Sequence, residues 1–309
     1  MRYTAAMTIQ EALHDAARKL QPKKITCAAD KSIGRLEAEI LLAHALKKDR
    51  IWLLTHPSSR LPSPASRLFS THVHRRVKHE PVAYILGEKE FYGRRFVVDK
   101  NVLIPRQETE LMIELAKEMR PSVVWDVGTG SGAIAVTLAC ELPRAKILAT
   151  DISSRSLDVA KRNAICLGVS PHITRLKSEL LQPSAYRWLK RHAKKDSLLI
   201  CANLPYLPSS DAKKIDPDVA TFEPPRALYS GKDGLDLITR FLGQLTRHIP
   251  DWAYQTVTIL LEFDPPQTKK LLKLSKSLFP DATIKIIKDL AGRDRVLALT
   301  LSRSSRRAS

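Results

Sequence analysis

The sequence predicts an α/β protein: a mostly parallel, Rossmann-like sheet covered by helices on both faces, behind a small helical N-terminal domain. Three observations carry this. From Val123 onward, apolar runs of strand length alternate with amphipathic stretches of helix length, the pattern of a sheet built by crossover connections. Before residue 81 there is no strand pattern, and apolar residues fall at helical spacing. A glycine-rich turn, Asp126-Val127-Gly128-Thr129-Gly130-Ser131-Gly132, joins the first apolar run to the first amphipathic stretch.

The elements follow in order. Thr8-Ile9-Gln10-Glu11 is a capping box, so a helix is expected over 9–20. Leu36, Ile40, Leu41 and Ala43-His44-Ala45 place a second helix over 33–47. Pro57, Pro62 and Pro64 interrupt the chain, and a basic helix is expected over 65–78. Between 84 and 98, apolar runs flank Gly93, which predicts a hairpin. A helix carrying Leu111, Ile113 and Leu115 starts after Pro105. Strands are expected over 123–127, 146–150, 173–176, 198–202, 257–263, 284–287 and 296–301, with helices over 133–141, 156–167, 235–245 and 267–278. The chain divides on this reading into a helical domain (1–80), a β-hairpin linker (81–100), the α/β domain (101–302) and a basic tail (303–309), with Arg303, Arg306 and Arg307 expected to be disordered.

The composition sets bounds. With 309 residues, 44% of them hydrophobic, the chain can bury a sizeable core. No apolar run approaches the roughly 18 residues of a membrane span. Glu11 and Asp15 stand where a secretory signal would be apolar, so a cytoplasmic protein is expected. Cys27, Cys140, Cys166 and Cys201 are scattered and are read as reduced thiols. The net charge of +19 points to an acidic partner, either nucleic acid or an acidic protein surface. His72, His74 and His79 read as part of a solvated basic face, so no metal site is expected, and His44 reads as a packed or edge histidine. The basic stretch 187–195 could dock an acidic partner, but a solvated amphipathic helix is the preferred reading.

The chemistry concentrates at two places. Gly128, Gly130 and Gly132 let the backbone turn tightly and let a ligand approach closely. Thr150-Asp151 ends the next strand, where a carboxylate can accept both hydroxyls of a ribose. The G-x-G-x-G spacing leaves little room for phosphates and favours a nucleoside with an amino-acid tail. Asn203-Leu204-Pro205-Tyr206 follows the apolar run 197–202. An amide nitrogen is a poor nucleophile because its lone pair is delocalised. The Asn203 side-chain carbonyl can accept one of its N–H groups, and the Leu204 backbone carbonyl, freed from the ladder before Pro205, can accept the other. Tyr206 can stack on the planar group. Together these motifs predict a class I S-adenosylmethionine-dependent methyltransferase acting on an amide or an exocyclic amine, by positioning rather than by a strong base.

The residues also resemble a known family. The stretches Pro81–Gly87, Glu90–Gly93, Val102–Glu110, Asp126–Gly132, Phe222–Leu228, Gly231–Leu235 and Asp289–Val296 are similar to the PrmC/HemK family of release factor glutamine methyltransferases. The likeness runs over about 81–301 and more weakly over 8–80. It implies methylation of the side-chain amide of the glutamine in the Gly-Gly-Gln loop of class 1 peptide-chain release factors. It implies that Gly128, Thr129, Gly130, Ser131, Gly132, Asp151, Glu179, Leu180 and Asn203 hold S-adenosylmethionine, that residues 203–206 hold the glutamine, and that residues 1–80 recognise the protein substrate. A monomer with no membrane association and no favoured nucleic-acid binding is expected. Three departures stand out: Leu204 replaces the family's usual first proline, Gln107 stands at the middle of the Pro-Arg-Pro-Glu-Thr motif, and Leu180 stands where an aromatic often flanks the adenine. Because Asn-Leu-Pro-Tyr also occurs in enzymes that dimethylate ribosomal RNA adenine, an RNA or DNA adenine methyltransferase is the second reading. An inactive RNA- or ribosome-associated module is the third.

Overall fold

The structure is a computed structural model that describes residues 7–21, 28–193, 197–213 and 215–303. Its helices are α1 (Ile9–Leu20), α2 (Ala28–Leu46), α3 (Arg50–Thr55), α4 (Ser63–Val77), α5 (Val82–Leu86) and α6 (Glu110–Met119), followed by α7 (Ala133–Glu141), α8 (Ser154–Cys166), α9 (Pro183–His192), α10 (Pro217–Phe222), α11 (Asp236–His248) and α12 (Thr268–Leu278). Its strands are β1 (Glu88–Phe91), β2 (Arg94–Val97), β3 (Val123–Val127), β4 (Lys146–Asp151), β5 (Ile173–Lys177), β6 (Ser197–Ala202), β7 (Thr256–Glu262), β8 (Thr283–Lys288) and β9 (Asp294–Ser302). The chain forms two compact units, Met1–Gly87 with Asp216–Phe222, and Glu88–Ile215 with Glu223–Ser309.

The first unit is helical. At the start of α1 the Thr8 hydroxyl accepts from Glu11 N at 3.3 Å, and the Glu11 carboxylate accepts from Thr8 N at 2.8 Å, the reciprocal capping the sequence predicts. Ile9, Leu13, Leu41, Leu42, Phe69 and Val73 meet in its core. The second helix begins at Ala28, earlier than expected, because its first turn is small or polar and shows no apolar period. Arg76 holds this unit to a distant piece of chain: its guanidinium lies 2.9 Å from Glu37 and 2.5 Å from Asp218 of α10. The expected solvated histidine face holds for His74 and His79, which are exposed, and is corrected for His72. His72 is 3% exposed and its ring centre lies 5.2 Å from that of His44. His79 falls beyond the end of α4 and pairs with Asp218. Burial pushes the His72 imidazole below its usual range.

The second unit is the α/β layer structure. Its seven-stranded sheet has the order β5-β4-β3-β6-β7-β9-β8, with β5 through β7 parallel and β9 antiparallel to both neighbours. The strands read as continuous apolar runs because both faces are covered. On one face Trp125, Ile200 and Ile259 pack with Phe241, Leu242 and Leu271 from α11 and α12; on the other, Val124, Leu199 and Leu260 pack with α6 and α7. The β1–β2 hairpin buries Phe91 and Phe96 in this second core. It is fastened by Asn163 of α8, whose amide accepts from Val97 N at 2.7 Å and donates to Val97 O at 3.0 Å. The basic stretch forms α9, an amphipathic helix that buries Ala185 and Leu189 and exposes Lys190 and Arg191; Lys194 and Lys195 lie outside the described residues. Cys140, Cys166 and Cys201 are free thiols, and Cys27 lies outside the described residues. Of the expected disordered tail, Arg303 is instead held, its N–H donating to Gln255 O at 2.8 Å, while Arg306 and Arg307 lie outside the described residues. Among the described helices none is long and apolar enough to cross a membrane.

Candidate active site

The chain passes from β3 outward through β4 and β5, then returns to lay β6 on the other side of β3. That reversal of strand order opens a crevice at the carboxyl ends of β3 and β6, the place where open α/β sheets bind ligands. A cavity of about 470 Å³ lies there, within the range of small-molecule sites.

The glycine turn forms its floor. Gly128, Gly130 and Gly132 have φ of 72°, 55° and 82°, a left-handed backbone that side chains resist. Gly128 and Thr129 donate their N–H groups to Thr150 O at 2.9 Å each, which pins the turn to the end of β4. Gly128, Thr129, Gly130 and Ser131 line the cavity. Gly132 does not; it opens α7 against α8, where a Cβ would stand 3.0 Å from the Ala160 Cβ.

Asp151 is 8% exposed and lines the cavity. Its Oδ2 accepts from Gly130 N at 2.9 Å and its Oδ1 from Ser153 N at 2.8 Å. Each oxygen keeps a lone pair for a further donor. Burial pushes its carboxyl above the usual carboxylate range, against those two backbone donors. Ile134, Ile152, Leu180 and Leu237 supply apolar wall, and Glu179 stands at the edge, paired with Arg240. A tight glycine turn, a carboxylate with spare lone pairs and an apolar slot together fit a nucleoside carrying an amino-acid tail.

Asn203, Leu204 and Pro205 enter the same cavity from the end of β6. The Asn203 amide nitrogen donates to Thr109 Oγ1 at 3.0 Å, Thr109 Oγ1 donates to Glu262 Oε2 at 2.7 Å, and Tyr206 Oη donates to Glu262 Oε1 at 3.1 Å. Tyr206 is not among the residues lining the cavity; its ring packs against the sheet core and its carbonyl accepts from Gln267 Nε2 at 2.7 Å. Gly234 lies against this point. A Cβ there would sit 1.9 Å from Tyr206 O, so only glycine lets the two backbones meet. Burial raises both the Glu262 carboxyl and the Tyr206 hydroxyl.

Sequence reasoning assigned no role to Thr109, Glu262, Arg106 or Glu223. Glu223 is fully buried and accepts from Ile104 N at 3.1 Å and from Arg106 at 2.5 Å, so it ties the 102–106 wall to the 224–227 wall. Among the described residues, no three His, Cys, Asp or Glu side chains converge as metal ligands would.

Behind the turn, Asp126 accepts from Thr129 Oγ1 at 2.6 Å and Ala135 N at 3.1 Å. Burial pushes its carboxyl up to about 7 from an ordinary 3.8, against those two donors. Between about pH 4 and about pH 7 the folded chain therefore holds a proton that the unfolded chain has lost, and stability falls as pH rises through that window. Asp126→Asn is expected to flatten this fall in the urea midpoint of the ligand-free protein. An unchanged slope would assign the proton to another group.

Three comparisons with known proteins bear on the site. Residues 11–87 match the PrmC N-terminal domain family, and residues 107–185 match the methyltransferase small domain family. The release factor glutamine methyltransferase of Bacillus cereus is 34% identical over 298 residues, spanning 94% of this chain and 98% of that one. The release factor glutamine methyltransferase of Rhodopirellula baltica is 39% identical over 274 residues, spanning 86% and 88%. Among solved structures, the hMettl16 catalytic domain in complex with MAT2A 3'UTR hairpin 6 aligns with a TM-score of 0.50 over 67% of this chain and 75% of that one; at 16% identity the likeness is one of fold.

Proposed function

The chain belongs to the release factor glutamine methyltransferase family, and from that membership we propose how its site works on the glutamine amide of the Gly-Gly-Gln loop in class 1 release factors. It is an S-adenosylmethionine-dependent methyltransferase. The observation that supports the reading is the sharing of one cavity by the Gly128–Ser131 turn, Asp151 and the Asn203-Leu204-Pro205 segment.

When bound, S-adenosylmethionine supplies a methyl group on a sulfonium sulfur. The glycine turn, which carries no side chain at Gly128 or Gly130, would let the amino-acid end approach the backbone closely. Asp151 accepts the ribose hydroxyls with the lone pairs its backbone donors leave over. Leu180, Ile152 and Glu179 line the same cavity and would hold the base. The Asn203 side-chain carbonyl and the Leu204 backbone carbonyl accept the two N–H groups of the glutamine amide and aim its nitrogen along the transfer axis. Asp126 and Glu262 are not in the cavity wall, Glu179 is paired with Arg240 and Asp151 is assigned to the ribose, so the proton leaves to solvent after transfer. The helical unit recognises the release factor, and the enzyme works as a cytoplasmic monomer without membrane contact, the release factor rather than nucleic acid being its favoured partner.

The test is competition. Purified enzyme is given labelled S-adenosylmethionine, a release factor, RNA and DNA, and the products are digested. Label on the Gly-Gly-Gln peptide, with a mass gain of one methylene, is expected. Label on adenine with an unmodified peptide would replace this reading with the adenine one.

Two variants probe the cavity. Asp151→Ala is expected to weaken cofactor binding by about 1.5–3 kcal/mol, the worth of charge-assisted hydrogen bonds, read by calorimetric titration. Unchanged affinity in the folded variant would remove Asp151 from the site. Leu204→Pro keeps the backbone carbonyl and restores the commoner family motif. Leu204 is 3% exposed, and its side chain packs beside Gly128, so the change repacks an apolar contact. Glutamine methylation is expected to stay within about tenfold, because such repacking seldom costs more than about 1.5 kcal/mol. A larger loss of kcat would mean that the Leu204 side chain itself helps to hold the acceptor.

A further inference from the structure

Asn203 does not choose its own orientation. Glu262, at the end of β7, is 1% exposed, and each of its oxygens receives one hydroxyl donor, Thr109 at 2.7 Å and Tyr206 at 3.1 Å. A hydroxyl has one proton to give. Thr109 gives its proton to the carboxylate, the stronger acceptor, so toward Asn203 its oxygen can only accept. The group of Asn203 that lies 3.0 Å from it must therefore be the NH₂. The carbonyl oxygen is left as the end available to a substrate N–H. The reverse arrangement, with Thr109 donating to an Asn203 carbonyl, would leave one oxygen of a buried carboxylate without its donor.

We infer that Thr109 and Glu262 are positioning residues for methyl transfer: they fix the Asn203 amide with its carbonyl toward the acceptor, and the same carboxylate anchors Tyr206 three residues on. Neither side chain needs to touch the reacting atoms. Thr109 lines the cavity, but its hydroxyl is taken up by Glu262 and Asn203, and Glu262 acts only through Thr109 and Tyr206. This rests on the proposed amide chemistry for its kinetic consequence, but the orientation itself is a property of the cofactor-free protein.

The two levels are tested separately. In kinetics with a release factor, Thr109→Val keeps the shape and removes the acceptor, and kcat is expected to fall by roughly tenfold or more, as misplaced orienting groups do. Cofactor affinity and the release-factor KM are expected to stay within about threefold. Thr109→Ser restores the hydroxyl and is expected to recover most of the rate. A wild-type kcat in Thr109→Val, or a loss that Ser does not recover, overturns the inference. In the cofactor-free protein the Asn203 side-chain ¹⁵NH₂ signals, assigned by their absence in Asn203→Ala, are expected to shift and exchange faster in both Thr109→Val and Glu262→Gln. Unchanged signals in both overturn it as well. If wild type methylates no release factor, the proposed acceptor is wrong, and the NMR result alone still decides the orientation.

Discussion

Asn203→Ala is expected to lower kcat for glutamine methylation by on the order of 10²-fold, the size of loss seen when one oriented polar partner of a reacting group is removed. The reason lies in the acceptor. An amide nitrogen shares its lone pair with its carbonyl, and it becomes a usable nucleophile only when both hydrogens are held and the nitrogen is aimed. Asn203 provides one of the two holds, so its loss acts on the transition state more than on binding. The release-factor KM is therefore expected to change far less than kcat, since most of the protein contact is made elsewhere. The variant also strips Thr109 of its neighbour's NH₂, but the Thr109–Glu262 bond remains, so the fold should tolerate it. Initial rates across release-factor concentration, with the thermal midpoint as a control, give the answer. A loss confined to KM would make Asn203 a docking residue, and the amide-orienting account would fail.

The parts of this site that local pattern encodes were legible. Asp151 and Asn203 each end an apolar run, and the glycine turn interrupts the alternation at the first crossover. Strand–helix periodicity therefore brings all three to one end of one sheet. The supporting groups were not legible, because their partners are far away in sequence. Thr109 and Glu262 are 153 residues apart, and Glu223 and Arg106 are 117 apart. The only hint was a carboxylate closing an otherwise apolar strand, 256–262, which on burial must find donors. The burial of His72 was illegible for a related reason. Spacing put His72 on a basic helix, but its exposure was decided by packing against a different helix, beside His44. The membership of Asp216–Phe222 in the helical unit has no local signature either; it follows from Asp218 meeting Arg76 and His79.

Arg106→Ala is expected to destabilise the sheet unit by about 2–4 kcal/mol, just below the range for breaking a wholly buried ion pair because the arginine end reaches solvent. The Glu223 side chain is 1% exposed and the Arg106 side chain 33%. Removing the cation leaves a carboxylate in the interior with only Ile104 N to satisfy it. The mechanism makes a further, sharper demand. Adding Glu223→Gln to Arg106→Ala removes the stranded charge while keeping an oxygen for Ile104 N, so the double variant should be more stable than Arg106→Ala alone. Urea midpoints for the two single variants, the double variant and wild type measure this directly. Glu223 also ties the wall at 102–106 to the wall at 224–227, so cofactor affinity is expected to weaken in step with stability in Arg106→Ala and to recover partly in the double variant. A double variant less stable than Arg106→Ala would mean that Arg106 acts through its packing and not through the buried charge it faces.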